Sequence, residues 1–403
     1  MKTGMKARKI EDPRLDRLLW FTGLGVLALT LAALLIFLGL RNRRSGGEEG
    51  FTGMGTITLV FSCPWERVIE SGVLETLARE FEKQEGNIRI QLETGSYAGQ
   101  ADVLGLDPRH QTAETVEEAQ ALVSFMDLFF YNIDILQAAG FDRPPKTRTE
   151  VLDMARAATE AGYRGLDLRL SPQDPLALDR DIFPWIWASG ARLAEGGELR
   201  FDSAPVRTIL RFLAELYQDG LAGTDALERR GEDGLRDFMA GKTAMMTGSI
   251  RDIAAVEAAE GLSFGIAALP GPAEMTGKPL IGLSVWSAGI SPGTAHPEEA
   301  RRFLGFLVEN RGRIAGASGG GPAGQNPGAI PETFAAESLR GNSLYVKAWD
   351  IWEAGEPAVD LAGLENLGPL DTIIREELNR MLSGDQSPEN TARTVQRRWE
   401  EYP

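Results

Sequence analysis

Side chains suited to ligand contact follow two predicted strands, at the ends where those strands stop. Trp65 and Glu66 come soon after the β-prone run Thr56–Phe61, and Asp107 comes directly after the run Ala101–Leu106. In open α/β sheets, ligands bind outside the carboxyl ends of the strands. We therefore expect Trp65, Glu66 and Asp107 to contact a ligand. For Trp65, packing over the first helix is an equally good interpretation.

Patterns typical of enzymes are incomplete in this chain. Gly241–Thr243 resembles the end of a phosphate-binding loop, but Arg236 stands where that loop requires its first glycine. The histidines are His110 and His296, and neither belongs to a zinc-binding or catalytic-triad pattern. We expect no catalytic residue, no metal and no cofactor. A carboxylate pair for hydrolysis stays open, because sequence spacing cannot exclude one among 58 acidic residues.

An apolar run without any charge extends from Leu18 to Leu40. At about 1.5 Å per residue it spans roughly 34 Å, enough to cross a hydrocarbon core of about 30 Å. It ends in Arg41–Arg44 rather than in the small residues of a cleavage site, although cleaved export stays an alternative. More basic residues precede the run than directly follow it. We expect residues 1–17 in the cytoplasm, a single-pass anchor at 18–40, and the main domain in the periplasm or outside the cell.

The composition indicates a folded domain without nucleic-acid partners. The formal net charge is −16, and such a surface repels phosphate backbones. Cys63 is the only cysteine, so no disulfide can form within the chain. Its position suits the end of a strand better than a lipidation site. An exported chain of this kind must be stabilised by its hydrophobic core.

Strand-like and helical patterns alternate after a short linker. Residues 41–55 are Gly-rich and charged, which is typical of a flexible tether. From Thr56 to Leu92 a β-prone run, a helical spacing of apolar residues and a second β-prone run predict a β-α-β unit. Thr147 and Glu150 predict a capping box at the start of a helix. The alternation favours α/β lobes with mostly parallel sheets.

Stretches spread along the chain resemble the extracellular solute-binding proteins of sugar ABC importers, the maltose-binding-like family. The resemblance covers the chain from about Thr56 to the C-terminus. It rests on motifs in the family's order, at Phe129–Leu136, Phe238–Met246, Phe264–Pro270, Gly282–Ser291 and His296–Leu307.

This resemblance implies two α/β lobes joined by a hinge, the periplasmic-binding-protein-like fold. It implies crossings between lobes near residues 121–127, 254–263 and 316–330. We expect lobe I to comprise residues 56–122 and 262–315. We expect lobe II to comprise residues 123–261 and 316–403. The segment between Ala101 and Phe130 is shorter than in the family, so a helix and loop of lobe I are missing.

The resemblance also implies positions that line the cleft between the lobes. Arg180, Asp181 and Trp185 fall in a segment that often lines the family's cleft. Trp187 lies two residues after Trp185, so the two cannot share a helix face, and we expect at most one of them to reach a ligand. Arg251 follows a strand and turn where the family places an aromatic or polar ligand group. Trp286 lies near the hinge, where ligand stacking and core packing are equally good interpretations. Aromatic faces and planar polar groups are what sugar recognition requires.

From this resemblance we expect a protein that captures a sugar or oligosaccharide by lobe closure and delivers it to ABC permease subunits, and the apolar run at 18–40 adds a membrane tether. We expect a monomer, bound to the membrane through its N-terminal helix. A ligand sensor that reports to a membrane signalling partner is one alternative. A binding protein for a non-sugar solute and a carbohydrate-active enzyme are the others.

Overall fold

The computed structural model describes residues 56–95, 101–106, 116–174, 176–274, 277–318, 321–322, 343–358, 361, 364 and 367–402. The predicted anchor at 18–40 and the linker at 41–55 lie outside these residues. Within the described ranges, no helix combines the length and the apolar composition needed to cross a membrane.

The folded part of the chain alternates strands and helices. Its strands are β1 (Ile57–Cys63), β2 (Ile88–Thr94), β3 (Val103–Leu106), β4 (Glu117–Asn132), β5 (Arg164–Asp167), β6 (Ala194–Glu195), β7 (Glu198–Leu199), β8 (Thr243–Ser249), β9 (Phe264–Ala267), β10 (Leu280–Ile290), β11 (Gly321–Pro322) and β12 (Glu356–Ala358). Its helices are α1 (Glu66–Glu70), α2 (Val73–Glu85), α3 (Ile133–Ala138), α4 (Arg148–Glu160), α5 (Ala177–Asp181), α6 (Phe183–Trp187), α7 (Ala204–Gln218), α8 (Gly231–Met239), α9 (Ile253–Glu257), α10 (Pro297–Glu309), α11 (Arg311–Ser318), α12 (Ser343–Ala354), α13 (Leu367–Leu382) and α14 (Pro388–Glu400). A 3₁₀ helix at Ile250–Asp252 joins β8 to α9.

Most strands form one mixed sheet, in the order β2-β1-β3-β10-β4-β8-β5. β1 pairs in parallel with β2, which confirms the predicted β-α-β unit, and β5 pairs in parallel with β8. The long strands β4 and β10 pair antiparallel with each other, β10 also with β3, and β4 also with β8 and β9. The prediction of mostly parallel sheets is therefore wrong for the described strands. The long strands β4 and β10 lie side by side and antiparallel in the middle of the sheet, and the alternation of patterns did not reveal this pairing.

The buried apolar side chains around this sheet form two large hydrophobic cores. Core A contains Phe61, Phe81, Phe125 and Phe303, and core B contains Trp185 and many residues of the helices around it. The sequence accounts for their formation, because α2, α7 and α10 each bury one apolar face. α12 contributes Ala348 to core A, whereas α13 and α14 pack on core B. The lobe boundaries given above stay a prediction.

Strand β4 connects the two cores. It runs for 16 residues and is buried from Leu122 to its end. Its first half pairs with β10, and its second half pairs with β8 and β9. Side chains alternate between the two faces of a strand. On one face of β4, Phe125 belongs to core A and Phe129 belongs to core B, so this face passes from one core to the other.

Local signals set two helix starts, and the one at Thr147 is as predicted. The Thr147 hydroxyl accepts a hydrogen bond from the Glu150 backbone N–H at 3.3 Å, and the Glu150 carboxylate accepts one from the Lys146 N–H at 2.6 Å. Ser387 caps α14 in the same way, by accepting from the Asn390 N–H. These bonds satisfy backbone donors that a helix leaves unpaired at its first turn.

Cys63 ends β1, as its sequence context predicts. Its side chain is buried in core A, and burial raises the pKa of its thiol to about 12. A Cβ on Gly105 of the neighbouring strand would lie 2.3 Å from the Cβ of Cys63. The glycine therefore allows β3 to lie close against the end of β1.

Candidate ligand site

Asp127 is the carboxylate between the two cores. It lies on the same face of β4 as Phe125 and Phe129, midway between them. Its side chain is only 7% exposed. Across the described ranges, no side chain or backbone group forms a hydrogen bond or ion pair with the Asp127 carboxylate. A buried carboxyl group without a partner is costly, so its presence calls for a functional explanation.

Charges around Asp127 are unbalanced. Burial raises the pKa of Asp127 well above its usual range, and Asp179 raises it further. Arg251 opposes this rise, whereas Asp181 and Asp252 add to it. Arg251 does not form an ion pair with Asp127. Its guanidinium carbon instead lies 5.5 Å from the centroid of the Phe125 ring.

Aromatic rings from both cores lie on the side of the sheet that carries this carboxylate. Trp65 stacks on Trp286, with ring centroids 5.4 Å apart and planes 7° apart. The edge of Phe125 meets Trp286 at 4.7 Å between centroids. Trp187 approaches from core B. The indole nitrogens of Trp65 and Trp187 are buried and have no hydrogen-bond partner in the described part of the chain. Trp65 is 1% exposed and Trp187 is 5% exposed, so both rings are core residues, whereas Trp286 is half-buried.

Gly282 makes this arrangement possible. It lies on β10 next to Leu283, which pairs with Met126 of β4. A Cβ on Gly282 would lie 1.8 Å from Asp127 Oδ2 and 2.9 Å from Trp187 Cε3. No side chain other than hydrogen fits between these two groups. We call the whole cluster the junction; it comprises Trp65, Phe125, Asp127, Trp187, Arg251, Gly282 and Trp286.

The 3₁₀ helix after β8 positions Arg251. Ser249 ends β8, and Asp252 accepts a hydrogen bond from the Ser249 backbone N–H at 2.9 Å. This capping box fixes the turn that carries Arg251 back over Phe125. Of the ligand residues predicted from the sequence, Trp65, Arg251 and Trp286 are thereby brought together at the junction. Their contact with a ligand stays a prediction.

Arg180, Asp181 and Trp185 lie in internal contacts instead. The Asp181 carboxylate is fully buried and accepts hydrogen bonds from Arg169 at 2.8 Å and from Arg180 at 2.9 Å. Trp185 is fully buried, with its ring at the edge of Phe129. These contacts assign the three residues a structural role, and their predicted ligand role stays untested.

Arg180 and Asp181 belong to a buried network of ion pairs in the lobe that contains core B. Arg180 also pairs with Asp174 at 2.8 Å. Arg229 pairs with Asp167 at 2.9 Å and with Asp237 at 2.8 Å. Arg169 Nη2 donates to the carbonyl oxygen of Thr247 on β8. The network therefore connects β5, α5, α8 and β8.

Two predicted site residues lie partly or wholly outside the described structure. Glu66 begins α1, but its side chain is not among those described. Asp107 lies outside the described residues. Both stay predictions as ligand contacts.

Sequence reasoning missed Asp127 and Phe125, and it chose Trp185 rather than Trp187. A signal for Asp127 does exist, since it is the only charged residue in the apolar run from Leu122 to Tyr131. A carboxylate is almost never fully buried unless it is paired. Phe125 carries no such signal, because an aromatic residue in an apolar segment is most often core.

A separate cavity of about 500 Å³ opens away from the junction, between α5 and α13. Leu170, Leu178 and Leu378 supply part of its apolar wall, and Arg375 and Arg398 lie on it. Arg398 pairs with Glu376 and Glu377. Nowhere in the described structure do three or more histidine, cysteine, aspartate or glutamate side chains gather as metal ligands would.

Comparison with solved structures identifies the fold. The maltose-bound MalE3 of T. maritima shares 17% identity, with a TM-score of 0.66 over 86% of this chain and 99% of that one. An ABC transporter solute-binding protein of Thermotoga lettingae, bound with α-D-tagatose, shares 16% identity with a TM-score of 0.67 over 86% and 99% of the two chains. One from Agrobacterium radiobacter K84, in complex with ribitol, shares 15% identity with a TM-score of 0.67 over 87% and 100%. The shared fold is the mixed α/β, two-lobe fold of periplasmic binding proteins.

The sequence itself matches a family profile. The profile is that of the bacterial extracellular solute-binding proteins, and it matches residues 112–314, about half of the chain. The matched span includes β4, β8 and β10, the strands on which the junction is built. Proteins of this family bind substrates and are not enzymes. The chain therefore belongs to the bacterial extracellular solute-binding protein family.

Proposed function

We propose that this protein captures a sugar or polyol at the junction and delivers it to an ABC permease. The observation that supports this proposal is that Asp127 and Trp187 of core B lie together at Gly282, on the face of β4 that also carries Phe125 and its neighbour Trp286 of core A. Indole faces suit the C–H faces of a sugar ring, and unpaired indole N–H groups and carboxylate oxygens suit its hydroxyls. Maltose, α-D-tagatose and ribitol, held by proteins of the same fold, are solutes of this class.

The mechanism we propose is binding followed by lobe closure, without a covalent step. β4 belongs to the sheet on both sides of Asp127, so a change of twist near this residue would move one core relative to the other. A ligand that contacts both cores at once favours the closed arrangement by the difference in its affinity for the two states. Trp286 would contact the ligand from core A and Trp187 from core B.

The test is a thermal-shift screen of the full chain in a polyoxyethylene detergent, whose headgroup carries no sugar. The panel contains mono- and oligosaccharides, polyols, amino acids and short peptides. A ligand that binds only the folded state stabilises it by about 2.7 kcal/mol at a hundredfold excess over its Kd. We expect a saccharide or polyol to raise the melting temperature.

A pair of tryptophan variants locates the site. Trp286 and Trp349 are both half-buried and pack on core A, but only Trp286 lies at the junction. We expect Trp286→Ala to abolish the shift and Trp349→Ala to retain it. A cooperative melt without any shift by sugars or polyols would contradict the proposed solute class. A shift lost equally in both variants would contradict the proposed site.

We also propose that residues 18–40 tether the domain to the membrane on the exported side. The supporting feature is the uncharged apolar run with basic residues before it. In fractionated cells, the full chain should stay with membranes through high-salt and alkaline carbonate washes. A variant without residues 18–40 should not. Release of the full chain by these washes would contradict the anchor.

A further inference from the structure

We propose that the junction selects a solute bearing a protonated amine, and specifically an amino sugar, with Asp127 receiving the ammonium group. This inference rests on the proposed function, since it specifies which saccharides the same site prefers. It concerns the chemical group that pairs with the Asp127 carboxylate when ligand is bound.

The first argument is the missing partner of Asp127. Every other buried carboxylate of the nearby network has an arginine, as Asp181 has Arg169 and Asp167 has Arg229. Asp127 is 7% exposed and has neither an ion pair nor a hydrogen bond from any described residue. A ligand's hydroxyl group needs only a neutral acceptor. The side-chain amide of an asparagine would supply one, and its burial costs less free energy than the burial of a carboxylate. A carboxylate in such a place is stabilised best by a cation that arrives with the ligand.

The second argument is the sign of the surrounding charge. Asp179 and Asp181 on α5 and Asp252 on the 3₁₀ helix each act to raise the pKa of Asp127, and Arg251 acts to lower it, while Asp181 is itself paired with Arg169 and Arg180. Arg251 is held over the Phe125 ring rather than against the carboxylate. The segments Phe183–Trp187 and Leu280–Trp286, which pack beside Asp127, carry no charged side chain. Charges near the carboxylate therefore favour the arrival of a further cation.

The third argument is the aromatic lining. An ammonium group is attracted to the face of an indole or phenyl ring within about 6 Å of its centroid. Phe125 lies two residues before Asp127 on β4. Trp187 and Asp127 both lie close to Gly282. The half-buried Trp286, whose ring meets the edge of Phe125, extends this lining into core A, where the apolar face of a sugar ring would pack. One site thus offers both contacts that an amino sugar needs.

The test compares hexoses that differ in one group. D-glucosamine, D-galactosamine and D-mannosamine are measured by calorimetry against glucose, galactose and mannose, with N-acetyl-D-glucosamine as the uncharged amide. The full chain in a polyoxyethylene detergent is used at pH 7. We expect at least one hexosamine to bind tenfold or more tightly than its parent hexose and than the N-acetylated sugar.

Asp127→Asn keeps the shape of the side chain and removes its charge. We expect this variant to melt cooperatively and to lose the preference for the amine. Asp153→Asn, on the exposed side of α4, is the matched control and should retain it. Equal affinity for hexosamines and hexoses in the wild type would overturn the inference and leave the proposed function standing. An amine preference that persists in Asp127→Asn would overturn the role of Asp127. No binding of either sugar class by a cooperatively folded chain would overturn the inference, whereas the proposed function is decided by the wider panel of oligosaccharides and polyols.

Discussion

Asp127 Oδ2 lies against the backbone of Gly282, so close that a methyl group on the glycine would stand 1.8 Å from it. The contact joins β4 to β10 at the point where the cores meet. We expect Gly282→Ala to destabilise the fold by about 1 to 3 kcal/mol, the usual cost of overpacking. The measurement is urea unfolding followed by circular dichroism.

A double variant separates this clash from a general backbone effect. In Gly282→Ala with Asp127→Ala, the closest contact of the new methyl group is removed, and only the contact with Trp187 Cε3 at 2.9 Å remains. The double variant should lose less stability than the sum of the two single variants, by an interaction energy of about 0.5 to 3 kcal/mol. Strict additivity would show that the contact has no energetic consequence.

Asp127 should also make the stability of the protein depend on pH. Its pKa is raised in the folded state above the value of 3.8 that it has when exposed. Protonated Asp127 therefore favours the native state at low pH, and this contribution is lost as the pH rises from about 3.8 through the raised pKa. We expect Asp127→Asn to be more stable than the wild type at pH 7 by about 1 kcal/mol or more, since one pKa unit is worth roughly 1.4 kcal/mol.

The comparison is made by thermal melting between pH 3.5 and 8. The advantage of Asp127→Asn should disappear toward pH 3.5, where the wild-type carboxyl is protonated in both states. An advantage of the same size at every pH would show that it arises from packing and not from ionisation.

Glu150 should act in the opposite direction. The hydrogen bond from Arg143, and then that from the Lys146 N–H, hold the pKa of Glu150 at about 2 in the folded state. Its stabilising contribution is present above the unfolded value near 4.5 and is lost as the pH falls toward 2. The side chain is partly exposed, so we expect Glu150→Gln to cost only about 1 kcal/mol at pH 7. Melting curves at pH 7 and pH 2.5 should show that the cost shrinks in acid.

Substitution of Asp181 distinguishes a structural role for this residue from a ligand role. Removing one partner of a buried ion pair commonly costs about 3 to 5 kcal/mol. We expect Asp181→Asn to lose stability of that order, because Arg169 and Arg180 would then lack their shared carboxylate. Ligand affinity, measured by calorimetry below the melting point, should change less than threefold. A large loss of affinity with little loss of stability would instead establish Asp181 as a ligand residue.

Local elements could be predicted from the sequence because their signals are local. β1, the cap at Thr147 and the helix start at Ser387 each depend on a few neighbouring residues. The antiparallel pairing of β4 with β10 depends instead on residues more than 150 positions apart, and a single sequence contains no record of it. The mixed sheet therefore could not be predicted.

The candidate site shows the same division. Trp65 and Trp286 could each be selected by residue type, but their stacking arises only when β10 is placed beside β3 and β4. Arg169 could not be recognised as the partner of Asp181, because side-chain direction at the end of β5 decides that contact. Asp127 could have been found, since a charge within a buried strand stands out against its neighbours.

The buried thiol of Cys63 has a practical consequence. Thiols react as thiolates, and a group with a pKa of about 12 inside a core is almost never in that form at neutral pH. Because Cys63 is the only cysteine, a second cysteine placed on an exposed helix would be the sole site of attack for a maleimide dye. The native chain thus already provides an unreactive background for fluorescent labelling. With one exposed cysteine added to each lobe, a pair of dyes could follow closure in single molecules.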